Sequence, residues 1–227
     1  MLYEIHKNLY HQCFSLKEKI RAKQFPNELS QKEAVANFVA YVQNSIEKIF
    51  GINLTINIKK LDADEQSNKI LSPYIHCKGK QDNSSLFDRN FNYTYILMDD
   101  QSNDVKIYTQ QAKEYNRNYG NSSYKVNSIF SYLLSKDENT CWMSNNLSID
   151  SKNNLFYTSS EDYLKHYNSM AVLKIIQPEN KTAPKGIIVF DSCDPYKFSE
   201  SECKFFMGLV AHLIYEIFEE IENINNV

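Results

Sequence analysis

No stretch of this 227-residue chain approaches the ~18 consecutive apolar residues that a membrane span needs. The first twenty residues carry His6, Lys7, Lys17, Glu18 and Lys19 and no apolar block, so they do not read as a secretory leader. These absences predict a cytoplasmic protein with no membrane partner. An excess of either charge is missing too. The 25 Lys and Arg residues face 28 Asp and Glu, a net charge of −3, which gives no general attraction to nucleic acid. Cysteine is sparse and odd in number: Cys13, Cys77, Cys141, Cys193 and Cys203 are scattered, with no C-x-x-C pair. No His or Cys pair has zinc-finger spacing, so reduced thiols are expected and no metal or cofactor. The G-x-S-x-G elbow of a serine hydrolase is absent.

The hydrophobic fraction, 42%, is enough for a core, and the length suits one domain. Asparagine is abundant, at 25 residues, which fits an AT-rich genome, so Asn-rich loops carry little functional weight. Tyrosine, at 16, suggests either packing on a sheet or the lining of a pocket.

Leu2, Ile5, Leu9, Cys13, Leu16 and Ile20 form one apolar seam on a polar helix. The stretch around Pro26 ends it. A second helix is expected to open at Ser30 and Glu33 as a capping box, to bury Val35, Phe38, Val42 and Ile46, and to close at Gly51. A strand follows, with Ile52, Leu54, Ile56 and Ile58 on one face. Asn53, Thr55, Asn57 and Lys59 occupy the other, either solvated or covered by a polar layer that includes a ligand. Residues 62–92 read as loop. Residues 93–100 read as a strand, 104–110 as a short strand or the start of a connection, and 114–124 as a loop pivoting on Gly120. A short helix over 125–136, a short strand from Cys141 and one or two helical turns over 159–168 come next. Two stronger strands, 169–176 and 186–192, form a hairpin. The last helix, with Ser199 and Glu202 as capping box, is apolar over so much of its circumference that it needs two partners, the sheet and another helix. The order predicts an α+β fold: a central antiparallel sheet with long N- and C-terminal helices on one face. Residues 1–24 would be an N-terminal helix and 25–227 the domain proper.

The closing third resembles the second half of a GAF domain. The elements that carry the resemblance are Ser169 opening a strand, Gly186 leading the next, the Asp191-Ser192 turn, Phe198, the capping Ser199 and a long last helix. The helix before the first strand and the segment from Tyr124 to Leu147 fit the opening and middle, so the likeness covers about residues 30–222. The phosphodiesterase-type NKFDE signature and a chromophore-attaching cysteine context are missing. PAS and other profilin-like sensors share the same broad design. The resemblance implies a non-catalytic sensory or regulatory domain that binds a small molecule between the sheet and a roof of loops and short helices. It would signal through a partner protein and dimerise through its terminal helices. The alternatives are an assembly subunit with a collapsed pocket, or a thiol redox enzyme using Cys77 or Cys141.

Asp191, Ser192, Cys193 and Asp194 look like chemistry, but no base lies near them in sequence, and they read as a strand end whose aspartates form the turn. His6 and His11 are five residues apart, one more than the four that a helical metal pair wants. In a GAF-like layout the ligand residues expected are Tyr93, Tyr95, Trp142, Tyr157 and Tyr163, with Asp99, Ser144 and Ser169 as polar fixers.

Overall fold

The computed structural model describes residues 2–63, 69–79, 91–96, 104–119, 124–135, 137–160, 163–177, 184–195, 198 and 201–225. Helix α1 (Leu2–Arg21) is followed by α2 (Glu28–Phe50) and strand β1 (Thr55–Ala63). Next come β2 (Lys69–Cys77), β3 (Tyr93–Thr94), α3 (Val105–Tyr119), β4 (Lys125–Val126) and α4 (Ser128–Ser135). The chain continues through β5 (Cys141–Ser144), α5 (Leu147–Lys152), α6 (Tyr163–His166), β6 (Ser169–Ile175), β7 (Gly186–Ser192) and α7 (Ser201–Asn225). One sheet runs β4-β3-β2-β1-β7-β6-β5. Its pairs are antiparallel except β3 with β4, which is parallel, so the sheet is mixed at that edge rather than antiparallel throughout.

Alternation along the strands gives the sheet two buried faces. Ile56 and Ile58 of β1, Leu173 of β6, and Ile188 and Phe190 of β7 join the core formed with α1, α2 and α7. Met170, Val172, Ile187 and Val189 point the other way, into a second core with Ile129, Phe130, Leu133, Leu147 and Phe156. Helices α1, α2 and α7 therefore cover one side, and a roof that includes the short helices α4 and α5 covers the other.

Helix α7 has the two partners its sequence demanded. It packs on β6 and on α1, where Leu9, Cys13, Leu16 and Ile20 are buried. The Cys13 thiol points at the Leu213 carbonyl, 3.7 Å away. Lys17 pairs with Glu216, and Arg21 with Glu220 at 2.6 Å. The seam on α1 is thus used within the chain, in the same core as residues 25–227. Gly51, at φ 62, closes α2 with the left-handed geometry expected of it.

Several expectations are corrected. The capping box of α2 is made by Asn27 and Ser30, one turn before the Ser30–Glu33 pair, because Asn27 is the first extended residue whose side chain reaches the Ser30 N–H (2.9 Å). Residues 69–77 are a strand, not loop. Pro73 hid it: Lys59 pairs with Pro73 while Ile58 pairs with Ile75, so the register shifts and Tyr74 is the extra residue. The bulge turns Tyr74 to the helical face, edge-on to Phe218 at 5.2 Å. Residues 105–119 are a helix, neither strand nor loop. Val105, Ile107, Tyr108 and Thr109 have strand propensity, but Tyr108, Thr109 and Ala112 share one buried face at helical spacing, and packing overrides propensity. Helix α5 was not anticipated. The Gly120 pivot, the Ser199 cap, Asp99 and the second half of the expected 93–100 strand lie outside the described residues; of its first half, only Tyr93–Thr94 is strand.

Candidate functional site

A row of polar side chains crosses three adjacent strands on the roof side of the sheet. In the register, His76 of β2 faces Asn57 of β1, and Asn57 faces Val189 of β7, two residues along from Asp191 on the same face. The Asn57 Nδ2 donates to the Asp191 carboxylate at 2.9 Å. That fixes the amide, leaving its Oδ1 toward the His76 Nδ1 at 2.6 Å, so this nitrogen carries the proton. From the roof, the Tyr163 hydroxyl donates to the other Asp191 oxygen and lies 2.9 Å from the Met170 sulfur. Asp191 is 1% exposed and Lys59, two residues along β1 from Asn57 on the same face, is 6% exposed. The Lys59 ammonium lies 4.7 Å from the centre of the Tyr93 ring, an ammonium against an aromatic face.

These groups surround a cavity of about 40 Å³ lined by Asn57, Lys59, Tyr93, Asn127, Phe130, Tyr163, His166, Tyr167, Val189 and Asp191. That is room for a few waters, far below the ~300–1,000 Å³ of a drug-sized ligand site. Tyr93 meets Phe130 edge-on at 5.1 Å, and Tyr163 meets Tyr167 at 4.9 Å. The ring row continues through Phe156, 5.9 Å from Tyr163, to Trp142, stacked on Phe156 at 6.0 Å.

The roof that carries this wall is tied down by backbone bonds. Ser128 N–H donates to the Tyr157 carbonyl and Tyr157 N–H to the Ser128 hydroxyl, both at 2.9 Å. Ser159 and Val126 exchange a similar pair, the Ser159 N–H to the Val126 carbonyl at 3.0 Å and the Val126 N–H to the Ser159 hydroxyl at 2.9 Å. Asn127 Oδ1 accepts the Ile129 N–H and so starts α4 over the cleft.

Of the expected ligand residues, Tyr93 and Tyr163 line the cavity. Tyr95 packs against the roof core, half-buried. Trp142 is one ring removed, behind Phe156. Tyr157 contributes its backbone to the roof, and the adjacent Phe156 supplies the ring in the row. The Ser144 hydroxyl accepts the Asn146 N–H at 3.1 Å and serves the turn after β5. Ser169 lies on the helical face of β6, where its hydroxyl donates to the Asp194 carbonyl at 2.5 Å, away from the cleft. Asp99 lies outside the described residues. Asp191 is a correction: it is a strand residue facing the cleft, whereas the turn bond is made by the Ser192 hydroxyl, which accepts the Asp194 N–H. Asn57 and Lys59 lie on the polar face of β1 that the sequence marked as solvated or ligand-covered. Alternation through Ile187, Val189 and Asp191 puts the aspartate on that same face.

The thiols divide by environment. Burial pushes Cys13 and Cys77 up to about 11, so both are protonated and poor nucleophiles at neutral pH. Cys77 points at the Ala36 carbonyl on the helical side, opposite the cleft. Cys141 is exposed on the edge strand. No group of three His, Cys, Asp or Glu side chains suited to a metal ion occurs among the described residues. No helix among them is long and apolar enough to cross a membrane.

No protein-family model matches the sequence, and no curated protein matches it. Solved structures do. The phycoerythrobilin-bound GAF domain of a cyanobacterial phytochrome is similar at a TM-score of 0.53 and 11% identity, over 96% of this chain and 97% of that one. A candidate GAF sensor protein from Burkholderia vietnamiensis is similar at 0.53 and 10% identity, over 98% and 99%. Residues 122 to 287 of a methyl-accepting chemotaxis protein are similar at 0.51 and 9% identity, over 93% and 99%. The chain has a GAF-like α+β fold. At these identities the likeness is one of architecture.

Proposed function

We propose that this chain is a sensory or regulatory module that binds a small molecule between sheet and roof and passes the signal to a partner protein. One observation carries the reading. An aspartate, a lysine and an asparagine (Asp191, Lys59 and Asn127) are buried where the fold would otherwise bury apolar side chains, and with the half-buried Asn57 they converge on one aromatic-walled cavity. Burying charge costs several kcal/mol per ion even after relaxation, so such a cluster is retained for specificity or for a ligand. The fold shared with the similar sensory structures supports the same reading. Among the described residues the site brings together no nucleophile with a base and oxyanion donors beside it, and a non-catalytic role suits it.

The cavity's small volume favours a second reading, an assembly subunit whose pocket is filled by its own tyrosines. Native mass spectrometry and a thermal-shift screen of small metabolites separate the two. In the sensory reading at least one compound raises the melting temperature, and Asp191→Ala abolishes the response while the variant stays folded by circular dichroism. A ligand at 100 times its Kd adds about 2.7 kcal/mol of stability, well within detection. A screen with no shift, together with a mass spectrum showing the bare chain, would leave the assembly role.

A further inference from the structure

Strand β5 is an edge of the sheet. It pairs with β6, and among the described residues no strand pairs with its other side. The direction of its backbone groups follows from the register. The Lys174 N–H donates to the Thr140 carbonyl at 2.9 Å, so these two residues form a hydrogen-bonded pair of the antiparallel ladder. Such pairs alternate along a strand. Trp142 therefore bonds inward to Val172, while Cys141 and Met143 turn their N–H and C=O groups outward. The edge carries no lysine, proline or bulge, the devices that discourage further pairing. Its length of four residues limits it to a short partner segment.

Beside this edge lies a groove of about 560 Å³ between β5, the end of β6 and α7. That is within the ~300–1,000 Å³ of a ligand site. Met143, Leu173 and Ala211 give it an apolar floor. Cys141 and Met143 point to this side, because their cross-strand partners Leu173 and Ala171 belong to the helical core. The groove is thus on the opposite face of the sheet from the cleft, and its occupancy does not depend on a ligand between sheet and roof. Gly208 of α7 opens the wall. A Cβ there would meet nothing within 4 Å, so no close approach requires the glycine. Glycine weakens a helix interior relative to alanine, and what it leaves here is room in the groove. Lys204 and His212 stand on the helix side, and no carboxylate among the described residues lines the groove.

We propose that the groove docks an extended segment of a partner protein, added to the sheet as a strand on β5. The outward N–H and C=O groups of Cys141 and Met143 form its ladder, and every second side chain of the segment enters the groove. Apolar side chains lie over Met143 and Leu173, and an acidic one lies near Lys204. The β5 strand of a second copy, Cys-Trp-Met-Ser, brings no acidic group to Lys204. A compact ligand would use the floor and leave the outward backbone groups unused.

Fluorescence anisotropy on the full chain tests this with an array of labelled, acetylated hexapeptide amides. In them threonine alternates with every combination of valine, phenylalanine, glutamate and lysine. The tightest binders are expected to carry apolar residues and one glutamate at the varied positions. They should bind at least about threefold more tightly than their lysine counterparts, and Lys204→Glu should reverse that preference. Gly208→Leu fills the groove and is expected to weaken binding at least about tenfold. Cys141→Pro removes an outward N–H and no ladder bond within the sheet, and is expected to weaken binding about threefold or more. N-methylation of the best peptide at alternate residues, one set at a time, is expected to abolish binding for one set only. The proposal is overturned if no member of the array binds, if lysine members bind as tightly as glutamate members, or if both methylated forms bind like the parent. Unchanged binding by Gly208→Leu and Cys141→Pro, each folded by circular dichroism, overturns it as well. So does light scattering that shows the native chain pairing with itself and Cys141→Pro remaining single, since the edge would then belong to a second copy.

Discussion

Lys174 shows how one residue sets a pH dependence. It belongs to β6, on the face that carries Met170 and Val172, and it is buried. Burial lowers its pKa to about 8, partly offset by the negative charge of Asp137. The unfolded chain, with Lys174 near 10.5, therefore binds more protons than the folded one between about pH 8 and 10.5. Stability from this group is lowest below pH 8 and rises through that window. Urea unfolding as a function of pH checks this. Lys174→Met is expected to be more stable than the native chain below pH 8 and to lose the rise. The cleft residues follow a related logic of environment. Tyr93 and Tyr163 could be selected from sequence because aromatics in the middle of the chain had to cover the sheet. Asp191 could not be separated from a turn former, since an aspartate at a strand end reads the same whether it bonds backbone N–H groups or a roof tyrosine. The strand's alternation was the available signal, and it put Asp191 on the face of Val189.

At the scale of elements, β7 enters the sheet through Gly186, where a Cβ would come 2.1 Å from the Lys59 carbonyl oxygen. That atom is backbone in the middle of β1 and cannot move aside without breaking the β1–β7 ladder. Gly186→Ala is expected to destabilise the chain by about 2 kcal/mol or more, measured by denaturant unfolding. The elements legible in the sequence were those with unbroken periodicity: α1, α2, β1, β6, β7 and α7. Those missed had their pattern interrupted or disguised. Pro73 and the bulge at Tyr74 broke the alternation of β2, and α3 is written in residues that prefer strands. The capping error at α2 has the same origin, since two overlapping candidates, Asn27 with Ser30 and Ser30 with Glu33, lie three residues apart.

For the whole molecule, the layering of helices, sheet and roof was readable because terminal helices with apolar faces must cover something. The route by which α1 is covered was open between this chain and a second copy, and packing settles its seam within the chain on α7. Dimerisation, which we propose, must then use the outward side. There Tyr3 is 73% exposed, Phe14 61% and, on α7, Phe205 67%, with His6 6.4 Å from the Phe205 ring. Light scattering is expected to give a dimer for the native chain and a monomer for the Phe14→Glu, Phe205→Glu double variant, with the fold retained in both. A native monomer at high concentration would remove the dimer from the functional reading.

Trp142 is the chain's single tryptophan, and its ring ends the row that runs through Phe156 and Tyr163 to the cleft. That places the chain's one indole reporter beside the roof's aromatic row. Its emission colour and lifetime follow events around Phe156 and Tyr163. Stopped-flow fluorescence can clock motion around Tyr163 without any added dye.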